Sequence, residues 1–416
     1  MLRNTSFRAR AALAAAGGAA LAVLALWWAL VGTARVAPVP AAPPDEGQEL
    51  ALYQAYLEAL VQRRPEHWQA RANLASLLAD TGRAPEALPH LRQALRRRKD
   101  DRHLLRQLAR TADAAGASGP AHAAWLRLAA LEPGNVEARV RLADLYRELE
   151  WFALARAAAG QAVRLAPEAP EVLRAAAAVE YVAQDYRAAL RNSRLLMRKA
   201  PENPVGYSIA AMCLRELGEW EEAIRNAERA VQLDPAVMDY RVELARLHVD
   251  RPDGAAYDRA LVVLSDPGRT GRDELKRRYW KGVCLQRMGQ PDAAFGELTA
   301  VRERTAGFLE VDYYLAKIYQ QRGDSQKAQE ATRAYQQLLA RRLNMREAEA
   351  MVRSAMDSPA RHLAAAKAAL TLGEPERALF YCEAALRLKP GSAEAEGLRR
   401  EATELARQQA GGGPAS

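Results

Sequence analysis

The chain has 416 residues, of which 27% are charged, and its formal net charge is +9 at neutral pH. Basic and acidic residues alternate along most of it. The densest basic run, Arg96 to Lys99, has no neighbouring aromatic residue, so the sequence does not indicate a nucleic-acid-binding surface. Cys213, Cys284 and Cys382 lie far apart and outside any CxxC motif, which excludes a cysteine-based metal or redox motif.

The N-terminus carries one long apolar segment. Residues 11–31 form a run without a charge, hydroxyl or amide, long enough for a helix that spans a bilayer. Arg3, Arg8 and Arg10 precede the run, so the positive-inside rule predicts that residues 1–10 are cytoplasmic and the rest extracytoplasmic. The alternative is a cleaved signal peptide with its site near Gly32 to Ala34. In both cases the remainder of the chain is exported.

A linker follows this segment. Residues 32–49 are rich in proline and alanine, which predicts a semi-extended spacer. The abundance of alanine and arginine suggests a bacterium with GC-rich DNA. We therefore expect a single-pass protein of the bacterial inner membrane, with its main region in the periplasm.

From residue 68 to residue 235 the sequence repeats itself every 34 residues, and past Pro235 the period slips. A fixed period in this range indicates stacked helical units, because each unit buries its apolar face against the next. Alanines fit where helices cross closely, glycines can end a helix in the left-handed conformation, and prolines favour the start of the next helix. The residues spaced by 34 are Ala87, Ala121, Ala155, Ala189 and Ala223, with Pro133, Pro167, Pro201 and Pro235.

This pattern resembles the tetratricopeptide repeat (TPR) family. The best-matching unit begins at Pro204 and carries the residues Ala210, Ala211, Leu214, Gly218, Trp220, Ala223, Ala227, Ala230 and Pro235. The resemblance implies an all-α fold, a right-handed α-solenoid of about nine helix-turn-helix repeats, here preceded by the transmembrane helix. It also implies a role in binding other polypeptides.

The spacing of the repeats predicts the domain boundaries. Gly323 and Gly373 are 50 residues apart, one period plus 16, so an inserted helix is expected between them. The predicted regions are an N-terminal capping helix at 50–67, repeats 1–5 at 68–235, repeats 6–8 at 236–341, the inserted helix at 342–358, repeat 9 at 359–392, a C-terminal capping helix at 393–409 and a disordered tail at 410–416.

No catalytic motif appears in the sequence. It contains no HExxH, Walker loop, GxSxG or dinucleotide-binding fingerprint, and the repeats occupy almost all residues from 50 to 409. The six histidines share no spacing, and the cysteines fall at packing positions of the repeat. We therefore expect no enzymatic activity, no cofactor and no metal.

The predicted concave face, lined by the first helix of each repeat, is the candidate binding surface. Its arginines and tyrosines are residue types that dominate binding hot spots, and guanidinium groups pair with carboxylates. TPR proteins that bind the C-termini of chaperones use a Lys and an Asn on this face. Ala72 and Ser76 occupy those positions here, so we do not expect binding of chaperone C-termini. The candidate partner-binding residues are Arg106, Arg110, Arg174, Tyr181, Arg215, Tyr279, Tyr313 and Lys317.

The sequence thus predicts a membrane-anchored scaffold that binds protein partners, with acidic segments among them, in the assembly of a bacterial envelope complex. Two alternatives remain. The chain could be a non-catalytic accessory or regulatory subunit of a separate envelope enzyme, or of cytochrome or polysaccharide biogenesis. It could also be a solenoid that binds a glycan or another small ligand.

Overall fold

A computed structural model describes residues 46–252, 256–267, 270–304 and 309–411. The predicted transmembrane helix and most of the linker lie outside these residues, so both stay predictions. No helix within the described ranges is long and apolar enough to cross a membrane. The chain divides into two compact units, Met1–Tyr56 and Leu57–Ser416, and the second unit holds all the repeats.

Twenty helices account for most of the described residues, which contain no strand. Helix α1 (Glu46–Arg63) precedes the repeats and α20 (Ala393–Gly411) follows them. The helices of repeats 1–5 are α2 Trp68–Asp80, α3 Ala84–Arg97, α4 Arg102–Ala114, α5 Ser118–Leu131, α6 Val136–Glu148, α7 Phe152–Leu165, α8 Pro170–Val182, α9 Tyr186–Lys199, α10 Pro204–Glu216 and α11 Trp220–Leu233. Those of repeats 6–9 are α12 Met238–Asp250, α13 Tyr257–Val263, α14 Gly271–Arg287, α15 Pro291–Arg304, α16 Leu309–Gln321, α17 Ser325–Ser354, α18 Pro359–Leu372 and α19 Pro375–Leu388.

The eighteen helices from α2 to α19 form nine successive pairs, which confirms the predicted all-helical fold of about nine helix-turn-helix units. Within each pair the two helices pack together, and the second helix packs on the first helix of the next pair. The alanines spaced by 34 residues sit at the crossing within each pair. All five are 0% exposed: Ala87, Ala121, Ala155, Ala189 and Ala223.

The turn between the two helices of a repeat requires a left-handed residue. Gly218 adopts φ +81° there, at no steric cost because it has no Cβ. Repeats 3 and 4 have no glycine at this position. Glu150 and Gln184 adopt the same conformation, at φ 58° and 62°. A Cβ disfavours left-handed backbone by roughly 1–2 kcal/mol, so these two turns are strained.

Replacing Gln184 with glycine is expected to stabilise the protein. Relief of the left-handed strain, about 1–2 kcal/mol, exceeds the roughly 0.5–1 kcal/mol that glycine's flexibility adds to the cost of folding. Urea titration should show a midpoint shifted upward. Ala183→Gly is the matched control, since Ala183 has negative φ and should only lose stability. An equal or larger loss for Gln184→Gly would contradict the strain argument.

Helix α17 interrupts the regular stacking. It has 30 residues, and the segment 342–358 predicted as an inserted helix mostly forms its C-terminal half. Sixteen extra residues advance a helix by about 24 Å and turn its packing face by about 160°. Helix α18 packs on α17 and, among the described residues, makes no contact with α16. Repeat 9 is therefore displaced along α17 from the end of repeat 8.

The displaced ninth repeat packs back onto the start of the stack. Helix α19 contacts α5 of repeat 2. Phe380 is 0% exposed, and its ring centroid lies 5.4 Å from that of His122 and 5.6 Å from that of Trp151. Trp151 also lies against Tyr381, at 6.3 Å. We call this contact between repeats 2–3 and repeat 9 the closure.

Polar groups accompany the closure. The Arg92 guanidinium donates to Glu383 across it at 3.1 Å. Next to Tyr381 of the closure, Glu349 of α17 accepts a hydrogen bond from the Tyr381 hydroxyl at 2.8 Å and pairs with Arg377. Burial raises the pKa of Glu349, and the charge of Arg377 opposes that shift. The apolar packing of the closure is thus accompanied by an ion pair between distant parts of the chain, from Arg92 of repeat 1 to Glu383 of repeat 9.

Candidate functional site

The eight predicted binding residues all lie on the first helices of their repeats. Arg106 and Arg110 are on α4, and Lys317 is on α16. The remaining five lie on the first helices of repeats 4, 5, 7 and 8: Arg174, Tyr181, Arg215, Tyr279 and Tyr313. We call the surface formed by these first helices the helix-A face.

Side chains join each first helix to the next along the whole helix-A face from α4 to α16. The contacts between consecutive helices are Arg110–Glu137 at 2.8 Å, Asp144–Arg174 at 2.5 Å, Tyr181–Arg215 at 3.3 Å, Arg215–Glu243 at 2.5 Å, Asp239–Lys276 at 2.5 Å and Tyr279–Tyr314 at 6.4 Å between ring centroids. The predicted residues are therefore parts of one continuous row.

Three of the four predicted arginines are partly or largely exposed and already paired. Arg110 donates two hydrogen bonds to Glu137, both of 2.8 Å, and its side chain is 60% exposed. Arg106 pairs with Glu132 at 2.9 Å. The hydrogen bond to Asp144 is the largest contribution that raises the pKa of Arg174. A carboxylate from a partner must therefore compete with one from the chain itself.

Arg215 differs from the others because it is buried. Its side chain is 8% exposed, as is that of Glu243, and the two lie 2.5 Å apart. It also donates to Glu216 at 2.7 Å and to the Tyr181 hydroxyl at 3.3 Å. Such a group has no surface left for a partner. We assign Arg215 a structural role in joining α10 to α12.

The C-terminal part of the helix-A face is aromatic. Five rings form a chain in which each centroid lies 5.3–6.4 Å from the next: Trp280, Tyr279, Tyr314, Tyr313 and Tyr335. Tyr279 is only 7% exposed, whereas Tyr313 is 40% exposed. The Lys317 ammonium lies 4.4 Å from the Tyr313 ring centre, in cation–π range. The most exposed part of this row of rings is thus Tyr313, together with Lys317.

Sequence reasoning found the arginines and three tyrosines but missed their partners. Glu137 and Glu243 follow their arginines by 27 and 28 residues, about two helical turns short of one repeat, and this shared offset could have indicated the pairs. Trp280 and Tyr335 were also missed. Tyr335 belongs to a second helix, and only the packing of α17 against α16 brings it to this face.

The cysteines and His122, residue types that can bind metal, are buried at separate places in the fold. Cys213, Cys284 and Cys382 are buried, and burial raises the pKa of the Cys213 and Cys284 thiols to about 12. His122 lies 3.1 Å from the Tyr146 hydroxyl, and burial lowers the pKa of His122 to about 3. Within the described ranges, no three histidine, cysteine or acidic side chains are grouped as metal ligands would be.

The tetratricopeptide repeat model matches residues 136–168 and 361–392, which are repeats 3 and 9. Repeats 3 and 9 are tetratricopeptide repeats. The register of the TPR matches is the one that the alanine spacing predicts, since both begin within two residues of a first helix. No curated protein matches this chain.

Several solved structures, TPR proteins among them, match parts of this chain. A thermophilic TPR protein from Thermus thermophilus is 22% identical, covering 43% of this chain and 98% of its own, with a TM-score of 0.36. A TPR protein from Parabacteroides merdae is 12% identical over 73% and 98%, with a TM-score of 0.40. A human IFIT1 dimer with m7Gppp-AAAA is 15% identical over 88% and 96%, with a TM-score of 0.44.

Proposed function

We propose that this protein is a non-catalytic scaffold that binds polypeptide partners along its helix-A face. The continuous row of side chains from α4 to α16 carries the proposal. Its exposed or partly exposed groups include the guanidinium groups of Arg110, Arg141 and Arg174 and the phenol of Tyr313, and such groups combine apolar area with directional hydrogen bonding. A surface of this length suits a polypeptide better than a small molecule.

The charge pattern narrows the class of partner. Arg110 and Arg141 are 60% and 49% exposed on the first helices of repeats 2 and 3, and each faces a carboxylate of the chain at 2.8 and 3.8 Å. A partner with acidic residues can exchange these exposed pairs at small net cost, because exposed ion pairs contribute about 0–1 kcal/mol each. Acidic segments are therefore the preferred partners.

We further propose that the predicted N-terminal helix anchors the scaffold in a bacterial inner membrane, with the repeats in the periplasm serving the assembly of an envelope complex. The apolar run at residues 11–31 with its preceding arginines supports this location. Membrane fractionation with protease protection of the full chain tests it.

Charge reversal on the helix-A face tests the binding proposal. Partners are first captured from detergent extracts with the full chain and identified by mass spectrometry. The double variant Arg110→Glu, Arg141→Glu should then retain less of the same partners, by about tenfold, because it places like charges against an acidic segment.

The matched control is Arg96→Glu, Arg97→Glu. It makes the same change in net charge at two exposed residues of α3, a second helix. Both variants are first checked for wild-type helicity by circular dichroism. Equal loss of capture in the two variants would point to bulk charge, and undiminished capture by the helix-A variant would contradict the proposed binding face.

A further inference from the structure

In a regular repeat the second helix is covered by the helix that follows. Whether the second helix is covered can be read from the exposure of the residue seven positions after its crossing alanine. This residue is 0% exposed in repeats 1–5, 7 and 9, where it is Ala94, Leu128, Ala162, Leu196, Ala230, Val301 and Ala385. In repeat 8 it is Tyr335, which is only partly buried, as is Thr332 one turn earlier. Among the described residues, repeat 8 therefore lacks a covering helix.

The course of α17 explains the missing cover. Helix α18 packs on the C-terminal half of α17, on a face turned by about 160° from the one that a regular repeat would use. The uncovered face continues along α17 because positions four apart lie on one side of a helix. We call the resulting surface the open seat, formed by Tyr313 and Lys317 of α16 and by Tyr335, Leu339 and Leu343 of α17.

The open seat is apolar in the middle and basic at its edge. Tyr313 is 40% and Leu343 49% exposed, and the Tyr313 and Tyr335 rings lie 5.8 Å apart. Lys317 is exposed at one side. Arg346, one turn beyond Leu343, has a side chain that is 71% exposed and reaches Glu150 only at 4.0 Å. Two copies of this chain meeting here would bring these cations together, whereas an acidic partner would neutralise them.

The size of Tyr335 sets a further requirement. Repeat 4 has leucine at the same position, and there the covering helix carries Gly206, where a Cβ would lie only 3.2 Å from Cγ of Leu196. A helix that covers the larger tyrosine needs a residue without a bulky side chain at the same point. The seat thus favours a helix with glycine or alanine facing Tyr335.

We propose that the open seat binds an amphipathic α-helix of a partner protein, which takes the place of the missing first helix. The partner helix carries an apolar stripe with a small residue opposite Tyr335 and acidic residues on its flanks. This inference rests on the proposed binding of polypeptides and narrows it to a helical segment at one place. It adds a docking mode in which the partner continues the repeat stack.

A synthetic peptide tests the seat. It has the length of α18, 14 residues, with leucines along one side, glycine within that stripe and glutamates on both flanks. Added to the full chain in detergent, it should bind saturably by fluorescence anisotropy and gain helical circular dichroism. Leu343→Glu should weaken its binding about tenfold or more, since one substitution both removes apolar contact and adds a like charge.

Two controls accompany the experiment. Leu165→Glu changes a leucine of similar exposure, 44%, on α7 of repeat 3 and should leave peptide binding unchanged. A peptide with lysines in place of the glutamates should bind at least about tenfold more weakly. Saturable, helix-forming binding that Leu343→Glu alone weakens supports the proposal.

Other outcomes overturn it. These are no saturable binding, binding without a gain in helicity, or equal losses in the Leu343 and Leu165 variants. Sedimentation that shows a dimer split by Leu343→Glu would instead assign the seat to a second copy of the chain. Failure here is separable from failure of the proposed scaffold, because Arg110 and Arg141 are not residues of the open seat and are tested with captured partners, whereas Leu343 is tested with a defined peptide.

Discussion

Phe380→Ala is expected to lower the free energy of unfolding by about 3–5 kcal/mol, the usual cost of removing a fully buried aromatic ring. Phe380 is 0% exposed and lies between His122 and Trp151, at the closure of repeats 2–3 with repeat 9. Urea denaturation measures the loss. Since repeats depend mainly on their neighbours, helicity should survive while the radius of gyration in small-angle scattering rises.

Phe152→Ala is the control for this variant. Phe152 is 38% exposed at the start of α7, so its loss should change stability by less than about 1 kcal/mol and leave the radius unchanged. If Phe380→Ala kept both the wild-type stability and the wild-type radius, the closure would not hold repeat 9 to repeats 2–3 in solution.

Arg215→Ala is expected to cost about 3–5 kcal/mol of unfolding free energy, because it leaves the Glu243 carboxylate buried without its main counter-charge. Both side chains are 8% exposed, and Arg246, at 3.4 Å from Glu243, is the remaining cation. Chemical denaturation again measures the effect. The size of the loss decides whether Arg215 belongs to the folding of the stack, as its burial indicates, or to its binding surface.

Two comparisons isolate the buried charge. Arg110→Ala removes an exposed pair with Glu137 and should cost no more than about 1 kcal/mol. The double variant Arg215→Met, Glu243→Leu should recover most of the lost stability, since replacing both members of a buried pair with apolar residues is often neutral. A loss in Arg215→Ala no larger than in Arg110→Ala would contradict the structural role.

The two ends of the proposed binding surface, the helix-A face, differ in chemistry. Arg110 and Arg141 sit in exposed pairs that a partner can exchange, whereas Arg215 holds α10 to α12. The C-terminal end offers aromatic area instead, from Trp280 to Tyr335. A partner that spans the face would meet ionic contacts at repeats 2–3 and apolar contacts at repeats 7–8.

The sequence alone determined the repeat and its register. The alanine at each crossing, Ala223 among them, must be small because two helix backbones meet there, and the structure buries all of them. The same periodicity placed the eight candidate residues on first helices. Local rules suffice here because a helix pair depends on residues within one period of each other.

The sequence could not determine the contacts that depend on how successive repeats add up. The spacing from Gly323 to Gly373 indicated extra residues, but whether they formed a new helix or lengthened α17 depends on packing over the whole segment. The open seat follows from that lengthening.

The closure likewise depends on small rotations accumulated over seven repeats, so no local pattern shows that Phe380 meets Trp151 or that Arg92 meets Glu383. Burial of Arg215 was hidden for the same reason, since its exposure depends on how closely α10 approaches α12 and not on its position in the repeat.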